Sequence, residues 1–308
     1  MKVIFMGTPG FAVPGLKAIA ESRHDVVLVV TGPDVPAGRG RNLLESPVKS
    51  FAKELNIPIL QPLSLKSSEF IEQLKQYNAD IIVVVAFRIL PDEAIDVTPH
   101  GAINLHASLL PKYRGAAPIN WALINGDTQT GITIFQIKSK VDTGDILLQE
   151  SIEISDQDTY GSMYKRLSHI GAKALVDSLD HIESGNIKTI PQRHDLATPA
   201  PKIYPQMGEI DWNNSAESIK HLIHGLSPAP GAYCFYGKKR IKLLKAGFSE
   251  ETLPDIPGTI VCRTKTQIGI QTGQGVLYPL ELQAEGRKAL PVAEFLRGFQ
   301  TKPGDSFR

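Results

Sequence analysis

The 308-residue sequence predicts an α/β fold, a mostly parallel sheet with helices on both faces, followed by a small C-terminal β-barrel. Three observations predict it. Runs that are apolar on both faces alternate with amphipathic helical stretches through the first half, the pattern of a covered parallel sheet. A proline-rich stretch, Pro191–Pro205, then interrupts the pattern. Beyond it, short strand-like pieces recur between glycines and prolines, as in a small barrel. The length suits two domains better than one.

Lys2–Met6 reads as a buried strand that ends in the turn Gly7-Thr8-Pro9-Gly10. Phe11–Ser22 follows as a helix, with Phe11, Leu16 and Ile19 on one face. Val26–Val30 is a second apolar strand. A helix near Val48–Leu55 leads into extended Pro58–Leu60, and a helix over Ser67–Tyr77 precedes the strand Ile81–Ala86. This much is Rossmann-like. Ala102–His106 is then a short strand and Ala116–Ile124 a helix. Gly131–Ile137 and Asp145–Ile154 alternate like antiparallel partners, and Thr159–Ile182 is a long amphipathic helix that closes the domain. These elements place a first domain at 1–188, a linker at 189–205 and a second domain at 206–308. In the second domain Ser215–Leu226 reads as a helix. Ala232–Tyr236, Arg240–Gly247, Gly258–Arg263, Gln267–Gln271 and Val276–Leu282 read as the strands of a barrel of the oligonucleotide-binding type.

Composition narrows the function classes. Hydrophobic residues make up 42% and charged residues 21%, ordinary for a soluble enzyme. The two cysteines, Cys234 and Cys262, have no Cys-x-x-Cys spacing, so neither a zinc site nor a disulfide framework is expected. No apolar run approaches the roughly 20 residues of a membrane span, and the opening residues do not read as a secretory signal. A cytoplasmic protein is expected. Net charge is +1, but residues 1–200 hold 19 Lys and Arg against 22 Asp and Glu, whereas residues 201–308 hold 14 against 10. That asymmetry points the second domain toward a polyanion.

Two short motifs are set aside. The turn Gly7-Thr8-Pro9-Gly10-Phe11-Ala12 lacks Gly-x-Gly-x-x-Gly spacing, so close approach to a dinucleotide pyrophosphate is not provided. Asp142-Thr143-Gly144 has the form of an aspartic-protease triplet, but that chemistry needs two such aspartates sharing a proton.

The informative cluster is Asn104-Leu105-His106-Ala107-Ser108-Leu109-Leu110-Pro111, followed by Lys112-Tyr113-Arg114-Gly115. On a strand Asn104 and His106 share a face. A carboxamide donor beside an imidazole suits acyl transfer, the amide steadying a developing oxyanion while the imidazole moves protons. Asp142 is a candidate carboxylate to orient that imidazole. Alone, Asn-x-His favours the plainer alternative, a hydrogen-bonded strand end with a structural histidine. Lys238-Lys239-Arg240-x-Lys242-x-x-Lys245 gathers five cations in eight residues. It is equally a lysine-guarded edge strand or a phosphate-binding stripe.

Asn104-x-His106 with Ser108–Pro111, Arg114-Gly115, Pro118 and Asp142-Thr143-Gly144-Asp145 resembles the folate-dependent formyltransferase family in order and spacing. The opening Phe5–Phe11, the insertion Pro33–Gly40 and the extra C-terminal domain resemble, within it, the members that formylate methionyl-tRNA. The resemblance implies the formyltransferase fold. It implies transfer of a formyl group from 10-formyltetrahydrofolate to the α-amine of methionyl initiator tRNA, for translation initiation, with no metal. The alternative is a small-molecule amine, a sugar nucleotide or glycinamide ribotide. Asn104, His106 and Asp142 would be the catalytic trio. Ser108, Leu109, Leu110 and Pro111 would line the folate site with Phe87, Arg88, Ile89 and Leu90. Arg39, Arg41, Lys238, Lys239, Arg240 and Lys242 would meet tRNA. A monomer is expected. The run Ala86–Pro91 is shorter than in many members and carries Arg88 where they have glycine.

Overall fold

Strands that are apolar on both faces have to be covered on both, and the first half of the chain is built around three of them. The computed structural model describes residues 1–37, 42–186, 188–251 and 253–308. Their contacts divide into two units: Met1–Pro118 with Thr130–Ile152 and Tyr164–Ala200, and Ile119–Gln129 with Glu153–Met163 and Pro201–Arg308.

The first unit runs β1 (Lys2–Gly7), α1 (Val13–Ala20), β2 (Asp25–Val30), α2 (Pro47–Glu54), β3 (Ile59–Leu60), α3 (Ser68–Lys75), β4 (Ile81–Val85) and β5 (Ala102–His106). All five side chains of β4 are buried, as a central strand requires. After β5 come α4 (Pro118–Ile124), β6 (Gln129–Gln136), β7 (Ile146–Glu153) and α5 (Tyr160–Glu183). The sheet order is β7-β6-β5-β4-β1-β2-β3. β1 pairs parallel with β2 and β4, β4 with β5, and β5 antiparallel with β6. The order reverses between β1 and β4, and open α/β sheets bind ligands beyond the carboxyl ends of strands near such a reversal.

Helix starts are specified locally. The Ser46 and Ser67 side chains accept hydrogen bonds from the backbone N–H groups of Lys49 and Phe70. One face of the sheet buries Ile4, Met6, Leu28, Val30 and Ile82 with Phe70 and Leu74 of α3. On the other face Leu105 meets Gly171 of α5, where an added Cβ would stand 2.5 Å from the leucine. The expected helix from Phe11 differs at its start. Gly10–Ala12 is a 3-10 turn and the α-helix begins at Val13. Pro14, which has no N–H to give, is tolerated only in a first turn. A short antiparallel pair, Val35–Ala37 with Asn42–Leu44, follows β2.

The second unit carries α6 (Ala216–Leu226), β8 (Ala232–Tyr236), β9 (Lys239–Ser249), β10 (Ile260–Arg263), β11 (Ile268–Gln271), β12 (Val276–Ala284), β13 (Leu290–Pro291) and α7 (Val292–Gly298). Its strands lie in the order β8-β9-β12-β11-β10, all antiparallel, with β13 added on β12. Residues 304–308 join the two edges. Phe235 of β8 and Arg308 exchange N–H···O bonds of 2.6 and 2.8 Å, and Ile260 of β10 donates to the Asp305 carbonyl at 2.8 Å. Both edges are thereby paired, as in a barrel. Ile219, Ile223 and Leu226 of α6 fill the core with Ile241, Leu243 and Leu277. The segments 119–129 and 153–163, which fall within the span 1–188, belong to this unit. Asn120 donates to the Gly225 carbonyl at 2.7 Å, and the buried Lys220 ammonium pairs with Asp156. Among the described residues no helix is long and apolar enough to cross a membrane.

Candidate active site

His106 ends β5 and is 6% exposed, while Asn104, two residues earlier, is half-buried on the same face. Leu105 points the other way, against α5, so strand alternation alone aims the two polar side chains together. Among the described residues the Asn104 carboxamide is not engaged in a hydrogen bond.

The imidazole is held from one side. Its Nε2–H donates to the Tyr113 carbonyl at 2.8 Å, so neutral His106 presents its lone pair at Nδ1. Phe135, opposite Asn104 on β6, meets the ring edge-on at 6.5 Å between centroids. Asp142 lies 3.8 Å from Nδ1, too far for a hydrogen bond. The Asp142 carboxylate instead accepts from the Gly115 N–H at 2.8 Å. The expected division of labour is therefore corrected in one respect. The Tyr113 carbonyl, not Asp142, sets the tautomer, because a carbonyl can only accept. Asp142 faces the nitrogen that a proton would reach.

Strain marks both flanks of His106. Tyr113 and Asp142 adopt left-handed backbone, φ +61° and +54°, which costs a non-glycine residue about 1–3 kcal/mol and persists only where the surroundings dictate it. Two glycines make the approach possible. Gly115, at φ +126°, would put a Cβ 2.7 Å from the Ala200 carbonyl, and a Cβ on Gly144 would stand 1.6 Å from that of Gln136.

The expected folate-lining residues divide into two kinds. In the Ser108–Pro111 turn, Ser108 and Leu110 are buried and their polar atoms are committed. Ser108 donates to the Lys112 carbonyl at 2.7 Å, and the Leu110 N–H donates to the Thr133 hydroxyl at 3.1 Å. Thr133 in turn donates to the Ser108 carbonyl at 2.7 Å, while Gln149 donates to the Leu110 carbonyl at 3.0 Å. These residues shape the turn, and only Leu109 and Pro111 present partial surface. In the second loop Phe87 is half-buried, Ile89 is 72% exposed and Leu90 is buried. Arg88 turns back to the Pro62 and Leu63 carbonyls at 2.7 and 3.1 Å, with its guanidinium 5.2 Å from the Phe87 ring centroid. It braces the loop. A groove of about 810 Å³ on its flank is lined by Ile89, Leu90, Lys66, Glu72 and Glu93.

The expected linker also reaches this region. Pro199–Ala200 pairs parallel with Arg114–Gly115, and the Tyr113 N–H donates to the Thr198 hydroxyl at 2.9 Å. Thr133, Gln149 and Thr198 carry no motif, and only the folded register brings them here: Thr133 stands opposite His106 on β6.

Of the expected tRNA-facing cations, Arg39 and Arg41 lie outside the described residues. Lys238 and Lys239 are exposed at the β8–β9 turn. Arg240 is half-buried, its guanidinium 3.8 Å above the Tyr233 ring, and Lys242 stands opposite Tyr233 in the ladder. None of these four forms an ion pair among the described residues. Elsewhere, His24, Asp180 and Glu183 have the donor types of a cation site, but Arg23 already pairs with both carboxylates, at 2.7 and 2.9 Å. Its hydrogen bond holds Asp180 below the usual carboxylate range.

Comparison with known proteins gives the same outline. Residues 1–179 match a family described as formyl transferase, and residues 202–300 one described as formyl transferase, C-terminal domain. The methionyl-tRNA formyltransferase of Geobacter sulfurreducens is 43% identical, over 99% of this chain and 96% of its own. That of Alkaliphilus oremlandii is 42% identical over 99% of both. Among solved structures, WlaRD, a sugar 3N-formyl transferase, aligns with a TM-score of 0.68 at 18% identity, covering 94% of this chain and 99% of that one. HypX from Aquifex aeolicus in complex with tetrahydrofolic acid aligns at 0.65 and 18%, covering all of this chain and 51% of that one. At such identity these two show a common fold.

Proposed function

We propose, from the premise that the chain belongs to the formyl transferase family, that it moves the formyl group of 10-formyltetrahydrofolate onto the α-amino group of methionyl initiator tRNA, for translation initiation. The observation that carries this reading is a likeness of more than 40% through both units to relatives named methionyl-tRNA formyltransferase. A likeness confined to the first unit would have left the acceptor open.

The unprotonated amine attacks the formyl carbon, and a new C–N bond forms as the bond to N10 of the folate breaks. The Asn104 carboxamide donates to the formyl oxygen as it gains charge. Donors of this kind are worth about 3–4 kcal/mol of barrier. His106 has its Nε2–H engaged by Tyr113, so it receives the amine proton at Nδ1 and returns it to N10. Asp142 steadies the imidazolium between those steps without needing to take the proton itself. The carrier already activates the formyl group, so the chemistry calls on no metal. Leu109, Pro111, Phe87, Ile89 and Leu90 contact the folate, with Ser108 and Arg88 supporting their loops. Lys238, Lys239 and Lys242, with Arg39 and Arg41, neutralise tRNA phosphates, and Arg240 stacked on Tyr233 gives that patch a fixed planar cation. The enzyme acts as a cytoplasmic monomer, with catalysis in 1–188 and tRNA recognition in 206–308.

The test is formyl transfer from 10-formyltetrahydrofolate to charged initiator Met-tRNA, beside free methionine, uncharged tRNA, an amino-sugar nucleotide and glycinamide ribotide. Transfer to the charged tRNA alone is expected. Transfer to the sugar nucleotide or the ribotide instead would overturn the acceptor.

A further inference from the structure

The stretch expected to be a linker sends one side chain into the middle of the first unit. Gln192 is 6% exposed. Its amide Nε2 donates to the Asp142 carbonyl at 3.1 Å and to the Gly144 carbonyl at 2.7 Å. Its Oε1 accepts from the Arg114 guanidinium at 2.6 Å. Both N–H groups and the oxygen are used.

We propose that Gln192 is a positioning residue for formyl transfer, clasping the main chain on both sides of Thr143 so that the Asp142 carboxylate faces Nδ1 of His106. This rests on the reading that Asp142 serves His106. Asp142 holds a left-handed backbone that an aspartate in an unsupported loop would readily leave. Its carboxylate has one anchor from the opposite loop, the Gly115 N–H. That loop is tied to the same downstream segment, since the Arg114 N–H donates to the Thr198 carbonyl at 2.9 Å. Arg114 also meets His194 Nδ1 at 2.8 Å. Gln192 therefore joins the two loops that flank the imidazole, touching neither the imidazole nor the Asp142 carboxylate. A displacement of about 1 Å at a reacting group can slow a reaction about a hundredfold, so a clasp on the main chain is enough to matter.

The experiment is a double-mutant cycle read by single-turnover formyl transfer to charged initiator Met-tRNA. Gln192→Met keeps the length of the side chain and removes the amide. Alone it is expected to lower the transfer rate about tenfold or more, with the half-saturating concentrations of folate and tRNA within about twofold of the parent. In an Asp142→Asn background the same change is expected to cost little, because what it positions is already gone. Gln192→Met transferring at the parent rate, or slowing transfer equally in both backgrounds, overturns the proposal. Should Gln192→Met fail to fold, Gln192→Glu decides in the same way: it keeps the acceptor for Arg114 and loses the donors. Asp142→Asn transferring at full rate would overturn the role of Asp142 itself, and Gln192 with it.

Discussion

The polar cluster around His106 and the cation run at the β8–β9 turn are both rich in hydrogen-bonding groups, yet they are built in opposite ways. Around His106 the supporting groups are bonded: buried Ser108 and Thr133 and the half-buried Asp142 carboxylate each have a named partner. At the turn, Lys238 and Lys239 are exposed and lack ion pairs among the described residues. Burial with satisfied bonds fixes geometry, which serves a reaction path. Exposed, uncompensated cations fix nothing, but they lower the free energy of a polyanion at any of several positions. Changes in the first region should therefore act on rate, and changes in the second on affinity and salt dependence.

The largest expected effects break the first region. His106→Ala should slow single-turnover transfer by about a hundredfold or more, and Asn104→Ala by roughly a hundredfold, each with Met-tRNA binding retained. A fully active His106→Ala would remove the imidazole from the mechanism. Gly144→Ala should follow, slowing transfer about tenfold or more, because its methyl group would collide with the Gln136 carbonyl and displace Asp142. A Gly144→Ala enzyme with the parent rate would mean that the loop tolerates movement. The smallest effect belongs to the second region. Lys238→Ala with Lys239→Ala should raise half-saturating Met-tRNA roughly two- to tenfold and flatten its dependence on salt. An unchanged salt slope would place the tRNA elsewhere.

One histidine sharpens the contrast. His224 in the second unit is 4% exposed, as deeply buried as His106, but its Nε2 only accepts from the Ala246 N–H at 3.3 Å. Burial, helped by the Lys220 cation, pushes its pKa down to about 4. The unfolded chain, with an ordinary imidazole near 6.5, then binds the extra proton first. Folding stability should fall as pH drops from about 6.5 to 4, by about 3 kcal/mol in total, and should level off below. Denaturant titrations across that range, on the parent and His224→Asn, measure it. A slope that survives the substitution would assign the effect to other groups.

Much of this was legible in the sequence for a physical reason. Doubly apolar strands such as Ile81–Val85 can only be central, and Asn104 with His106 share a face because a strand alternates. The parallel sheet, the barrel strands and both polar residues followed. What stayed hidden depends on contacts distant in sequence. Nothing local says that the Tyr113 carbonyl will take the Nε2–H, or that Arg88 will turn back onto Pro62 and Leu63. The prolines of 191–205 suggested a linker, whereas Pro199–Ala200 pairs with Arg114–Gly115. Proline restricts the chain's own conformation, but a carbonyl and a side chain remain free to bond. Helix α7 was missed because seven residues carry too little periodicity.

The most direct test of the account is single-turnover formyl transfer to initiator Met-tRNA, titrated with tRNA for His106→Ala and for the Lys238→Ala, Lys239→Ala double variant. The account predicts a lower rate at saturation with an unchanged midpoint for the first, and a shifted midpoint with the parent rate for the second. The reverse pattern, with His106 altering the midpoint and the lysines the saturating rate, would contradict it.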